Sequence, residues 1–268
     1  MNNDKLEETG HDTNKKSSIF RYSIFVGRIG EVPINIHFSF ALIFSLIVWT
    51  LSYTFFPFYY PSLGQLNYII LGLTGGFIAL FSILLHELGH STIAKKYGIK
   101  FERIVLFAFG GVALSDNEIA DPKKEINMAF AGPCISFISS SLSFSLWLIL
   151  IRSHIFSLES SPLGGVLLYG GLINLGIGLF NLLPLFPSDG GRILRALLSK
   201  HNNHDHVRGT KGAIRIGVIV SLGLVLVGVI IGLNYSFLSG LWLMILAFFL
   251  IKQSKWYYRQ YQDLSPRI

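Results

Sequence analysis

Six apolar runs restrict this chain more than any other feature, because each is close to the ~20 residues a helix needs to cross a bilayer. They are Ile34–Phe55, Leu66–Tyr97, Ile126–Ile151, Leu163–Leu183, Ala213–Leu233 and Phe237–Ile251. In the hydrocarbon core every backbone N–H and C=O must find a partner within the protein, so lipid-facing runs of this length fold as helices. The expected fold class is therefore an all-α polytopic membrane protein with six transmembrane helices. Composition agrees: 14% of the 268 residues are charged and 51% are hydrophobic, whereas a soluble domain carries about 25% charged residues.

The basic residues test the span count. With both termini cytosolic, 5 Lys/Arg precede the first span, 6 lie between the end of the second (counting Lys95 and Lys96) and the third, 6 between the fourth and the start of the fifth (counting Arg215), and 4 follow the sixth. Of 22 in all, only Arg152 then lies outside. That is a strong positive-inside pattern, and it places the protein in the cell membrane with N- and C-termini in the cytosol. The net charge of +7 reports topology rather than a nucleic-acid partner, since no basic cluster is interleaved with aromatics. Residues 1–20 read as a disordered cytosolic tail with no cleavable leader, 21–252 as the membrane domain, and 253–268 as a short cytosolic tail. Cys134 is the one cysteine, which excludes an intrachain disulfide and a thiolate metal cluster.

Two cytosolic segments are more than simple loops. FERIVLFAFGGVALS (Phe101–Ser115) is rich in β-branched and aromatic residues and contains Gly110-Gly111. It predicts a short strand or hairpin between helices two and three, dipping toward the membrane. NLLPLFPSDGGR (Asn181–Arg192) carries Pro184, Pro187, Gly190 and Gly191, so its backbone must be irregular. At membrane depth, irregular backbone is tolerated only inside protein or beside a water-filled cavity.

The chemistry lies near the end of the second span, in HELGH at His86–His90. Residues i and i+4 share a helix face, so the imidazoles of His86 and His90 can hold one metal ion. With Lys95 and Lys96 marking the cytosolic interface, His90 and His86 lie roughly 8 and 14 Å inside. Ionisable groups at that depth are functional by default. Zinc lowers the pKa of bound water toward about 7, and Glu87 stands beside the pair to take that water's proton and pass it to a leaving amine. This is metallopeptidase chemistry, and it requires a third ligand. Among the acidic residues outside the tails, only Asp189 sits in a broken apolar segment near a helix end. It can serve as that ligand, or it can merely cap the helix that follows.

HELGH together with NLLPLFPSDGGR resembles the site-2 protease family of intramembrane zinc metalloproteases. The motifs of that family, HExxH and N-x-x-P-x-x-x-x-D-G, stand here as His86–His90 and Asn181–Gly190, in the same order and on separate helices. The likeness extends through Gly110-Gly111 and NMAFAGPCIS (Asn127–Ser136), over roughly Ile34–Leu198, with a core of about 66–198. It implies one Zn2+ per chain held by His86, His90 and Asp189, with Glu87 as general base. It implies that Asn181 binds substrate or stabilises the oxyanion, and that Gly110 and Gly111 lie on a strand that pairs with an unwound substrate; a plain turn is the competing reading of that glycine pair. It implies a compact six-helix form without PDZ or CBS domains.

The activity expected from these readings is cleavage, within the bilayer, of a single-span membrane protein, releasing a fragment for regulation. The alternative is a catalytically silent protein that holds transmembrane clients. A metal transporter would need polar groups along a path through the membrane, and spans one, five and six carry almost none. Asn174 and His37 can each belong to the site or only to packing, and HNNHDH (His201–His206) reads as a solvated loop.

Overall fold

The computed structural model describes residues 23–30, 32–99, 101–108, 110–115, 121–152, 162–186, 188–201 and 205–264. The tail 1–20, residues 202–204 of the HNNHDH run, Pro187 and the loop around His154 lie outside the described residues. The chain opens with strands β1 (Ser23–Ile29) and β2 (Val32–His37). Helix α1 (Ser39–Thr50) continues through a π-helical turn (Leu51–Phe55) into α2 (Phe56–Tyr59). The wider turn sits just before Pro57, which has no N–H and crowds the carbonyl four residues back. Helix α3 (Gln65–Lys96), strands β3 (Phe101–Phe107) and β4 (Gly110–Ser115), and helix α4 (Pro122–Arg152) follow. The chain then forms α5 (Pro162–Leu182), α6 (Asp189–His201), α7 (His206–Asn234) and α8 (Phe237–Leu264).

Among the described residues, six helical stretches are long and apolar enough to cross a membrane: Ser39–Tyr59, α3, α4, α5, α7 and Phe237–Trp256 of α8. They match the six expected spans, and the chain is a multi-pass membrane protein. Their outward faces are apolar, as at Leu142, Ile219 and Phe248, which suits lipid contact.

The strand content and some helix ends differ from expectation. Residues 34–37, expected to open the first span, belong to β2, and the helix begins at Ser39. The VPINIH pattern alternates, and its Ile34, Asn35 and Ile36 pair in parallel with Ile104, Val105 and Leu106 of β3. The predicted hairpin at Phe101–Ser115 is present, with Val105 opposite Val112, but it is half of a sheet ordered β1-β2-β3-β4. At the other end, α8 runs on to Leu264, past the tail boundary expected at 252.

The sheet rests on one end of the bundle: Phe40 of α1 packs with Ile104 and Leu106, and Leu80, Ile83 and Leu88 of α3 pack against them. A second cluster of Leu51, Phe56, Tyr60, Tyr68 and Tyr169 closes the opposite half. There Tyr68 donates to the Tyr60 carbonyl at 2.5 Å. Helices α7 and α8 form a tight hairpin in which a Cβ at Gly240 would lie 2.5 Å from Gly232 Cα and would overlap the Gly228 carbonyl. Gly240→Ala should therefore cost about 1–3 kcal/mol by overpacking and lower the melting temperature in detergent. Gly223→Ala on α7, where a Cβ meets open space, should leave it nearly unchanged.

Candidate metal centre

The His/Glu cluster lies on the buried face of the last turns of α3, with His86, Glu87 and His90 all enclosed. Asp189 comes from the opposite side of the bundle. Helix α5 stops at Leu182, and Pro184 ends the helical backbone. The segment then folds on itself: Ser188 N–H donates to Leu185 O at 2.7 Å and Ser188 Oγ to Leu183 O at 2.8 Å. Helix α6 restarts at Asp189 so close to the end of α5 that a Cβ at Gly190 would overlap the Leu182 and Leu183 carbonyl oxygens. The Asp-Gly-Gly sequence thus has a steric reason, and Asp189 does open a helix. Its carboxylate nevertheless turns toward α3.

Asp189 Oδ2 lies 3.0 Å from His86 Nε2 and 3.2 Å from His90 Nε2. One ligand atom from each of the three residues falls within 4.8 Å of the others, which positions them to bind a metal ion. The far side of each ring is held by α4. His90 Nδ1 donates to the Met128 carbonyl at 2.7 Å, and His86 Nδ1 pairs with Ser136 Oγ at 2.9 Å. Because a carbonyl can only accept, the His90 proton sits on Nδ1, and neutral His90 points its Nε2 lone pair at the carboxylate. A lone pair facing a carboxylate oxygen at this distance requires a cation between them, either a proton or a metal ion.

Space for that cation is built in. A Cβ at Gly132 of α4 would lie 2.7 Å from His86 Nε2 and would overlap His90 Nε2. The donor set, the oriented imidazoles and the missing side chain together fit a metal ion. Glu87 lies beside the group and is 7% exposed. Strand β4 passes over it so closely that a Cβ at Gly111 would lie 2.7 Å from Glu87 Oε1.

The remaining candidates fall elsewhere. Gly110 pairs with Phe107 at the end of the hairpin with φ 128°, a backbone that favours glycine, and its own Cβ would meet nothing. Asn181 Nδ2 donates to Ile177 O of its own helix at 2.9 Å. Asn174 is buried between α5 and α3, donating to Ser82 Oγ at 2.9 Å and to Gly170 O at 2.8 Å. His37 Nδ1 pairs with Ser39 Oγ at the start of α1. Asp205, within HNNHDH, caps α7 by accepting from Arg208 N–H at 3.0 Å. Sequence reasoning missed Met128, Gly132 and Ser136, although the i, i+4, i+8 spacing of these three on one helix was a readable signal.

Comparison with known proteins bears on this arrangement. The model of peptidase family M50 matches residues 75–159 and 149–224. The chain belongs to peptidase family M50. Among M50-like proteins, zinc metalloprotease MJ0392 of Methanocaldococcus jannaschii is 40% identical over 211 residues, 78% of this chain and 55% of that protein. Rip3 of Mycobacterium tuberculosis is 34% identical over 235 residues, 88% of this chain and 58% of Rip3. The chain thus spans a little over half the length of these curated relatives. The solved structure of the site-2 protease from Methanocaldococcus jannaschii superimposes with a TM-score of 0.59 at 32% identity, covering 88% of this chain and 95% of that one.

The second contacts of the two rings give a direct test. Ser136→Ala should weaken metal binding by about 10- to 100-fold, the usual effect of losing a partner behind a ligating histidine. Gly132→Ala should lower it further by filling the space at both Nε2 atoms. Competition with a chromogenic chelator, read beside the unaltered protein, measures both.

Proposed function

We propose that this chain is an intramembrane zinc endopeptidase that cleaves single-span membrane proteins. The observation that carries this reading is the convergence of His86, His90 and Asp189 within a transmembrane bundle, with Glu87 alongside. His86, His90 and Asp189 are the ligands of one Zn2+ per chain. Zinc held there supplies Lewis acidity, polarising a scissile carbonyl and lowering the pKa of water.

The remaining work belongs to side chains and backbone. Glu87 is the general base: it takes a proton from the attacking water and delivers it to the departing amine. The bundle keeps bulk water away from the buried carboxylate, which strengthens its electrostatic interactions. A substrate helix must unwind before it is cut, because its carbonyls are already hydrogen-bonded. Strand β4 ends the sheet order, so its outer edge can accept an extended peptide by strand addition. Gly111 then brings that peptide directly over Glu87. Asn181 serves as the oxyanion or substrate donor once it leaves Ile177 O.

The six-helix unit, residues 21–252, acts as the protease domain. With both termini in the cytosol, cutting occurs near the cytosolic face, since Lys95 and Lys96 end the helix that carries the histidines. Product release on that side suits regulated intramembrane proteolysis.

Glu87→Gln separates metal binding from turnover. The purified variant should keep its zinc and bind a single-span test substrate while losing at least about 100-fold in cleavage rate. Binding without cleavage by the unaltered zinc-loaded protein, across a panel of such substrates, would replace this reading with that of a silent client-holding protein. Asp189→Ala should bind zinc more weakly, and an unchanged affinity would require a different third ligand.

A further inference from the structure

The contacts behind Asp189 lead to a residue remote from it in sequence. Two residues separate Asp189 from Phe186, which is 2% exposed. Phe186 forms a buried cluster with Ala213 and Ile214 of α7, against which Leu194 and Leu198 of α6 and Tyr258 of α8 pack. Its ring lies under the Arg195 guanidinium at 5.4 Å, and Arg195 is ion-paired with the fully buried Glu125 of α4. Its carbonyl accepts from Ser254 Oγ of α8, and that serine is itself 1% exposed.

The Ser254 bond is unlike those of neighbouring hydroxyls. Ser221 and Thr210 on α7 each return to the carbonyl four residues back in their own helix, the usual choice for hydroxyls in membrane helices. Ser254 instead crosses to another segment. The recipient lies in the irregular backbone between α5 and α6, three positions before Asp189. That segment is braced internally by Ser188 N–H to Leu185 O, Ser188 Oγ to Leu183 O, and Arg192 N–H to Ser188 O. These bonds tie the stretch before α6 to its first turn, and the Phe186 carbonyl held by Ser254 belongs to the same stretch.

We propose that Ser254 is a positioning residue for Asp189, fixing the turn before α6 so that the carboxylate meets His86 and His90. This rests on the reading of those three residues as zinc ligands. It makes metal retention depend on α8, a helix that carries no ligand, and it ties any displacement of the α7–α8 hairpin to the geometry of the site.

The test compares the full-length zinc-loaded protein with Ser254→Ala, Ser254→Thr, Ser221→Ala and Asp189→Ala, measuring zinc release to excess chelator beside thermal unfolding. Ser254→Ala should release zinc about fivefold faster, the effect of one lost hydrogen bond. Ser254→Thr, which keeps the hydroxyl, should release it more slowly than Ser254→Ala. Ser221→Ala removes a buried hydroxyl from the same hairpin and should match the unaltered protein. The proposal is overturned if Ser254→Ala releases zinc at the unaltered rate while Asp189→Ala releases it faster. It is equally overturned if Ser221→Ala or Ser254→Thr accelerates release as much as Ser254→Ala. An unaltered rate in Asp189→Ala would overturn both this proposal and the ligand assignment beneath it.

Discussion

His86, His90 and Asp189 meet inside a bundle whose outer surface is hydrocarbon-facing, and this meeting sets the terms for the rest of the fold. A carboxylate moved alone from water into a medium of low dielectric is strongly disfavoured, and a buried imidazole gains nothing unless both its nitrogens are used. The structure answers with convergence. Two Nε2 atoms and one carboxylate oxygen face one another, and each Nδ1 is held by α4 at Met128 O or Ser136 Oγ. The arrangement is complete only with a cation at its centre. Metal binding and the integrity of this part of the bundle are therefore two views of one electrostatic requirement.

That requirement explains why small residues gather around the site. Gly132 leaves room at the two Nε2 atoms, Gly111 lets β4 cross above Glu87, and Gly190 lets α6 restart against the end of α5. Each admits a backbone to a place where even a methyl group would collide. In a membrane bundle this has a second benefit, because lipid tails are as apolar as leucine and association relies on close backbone approach instead. The same property that packs the helices thus also opens the site.

How much of this could be read in the sequence follows from which interactions are local. The six spans were legible because a bilayer imposes length and apolarity on each helix separately. The His86–His90 pair was legible because i and i+4 share a face. Asp189 was legible as an acidic residue stranded in broken apolar backbone, while its choice between cap and ligand was not; it is the first residue of α6 and its carboxylate faces the histidines. The strands β1 and β2 were not legible as part of a sheet, since six alternating residues run directly into an apolar span and their partner β3 lies some seventy residues on. The spacing of Met128 and Ser136 marks one face of α4 but not what that face meets, and Ser254 carries no local signal at all. Their roles depend on which helix faces which, and that is a property of packing, not of periodicity.

The division between ligands and supports has a mechanical consequence. The converging side chains come from α3 and α6, whereas the groups that orient them come from α4 and from the neighbourhood of Phe186. Helix α4 grips both sides, holding His86 and His90 at one stretch and, through Glu125 and Arg195, α6 at another. An ion pair this buried contributes little net stability, because desolvation offsets most of the Coulomb attraction. Its worth lies in geometry: a carboxylate with no exposure tolerates few positions of the guanidinium beside it. Moving α6 away from α4 would therefore separate a buried charge pair at the same time as it opened the metal centre. Both penalties act on the same displacement, so the closed arrangement of these two helices is stiff even though α6 is short and its entry irregular. Flexibility near the centre must then come from elements outside that clamp, such as the sheet edge at β4.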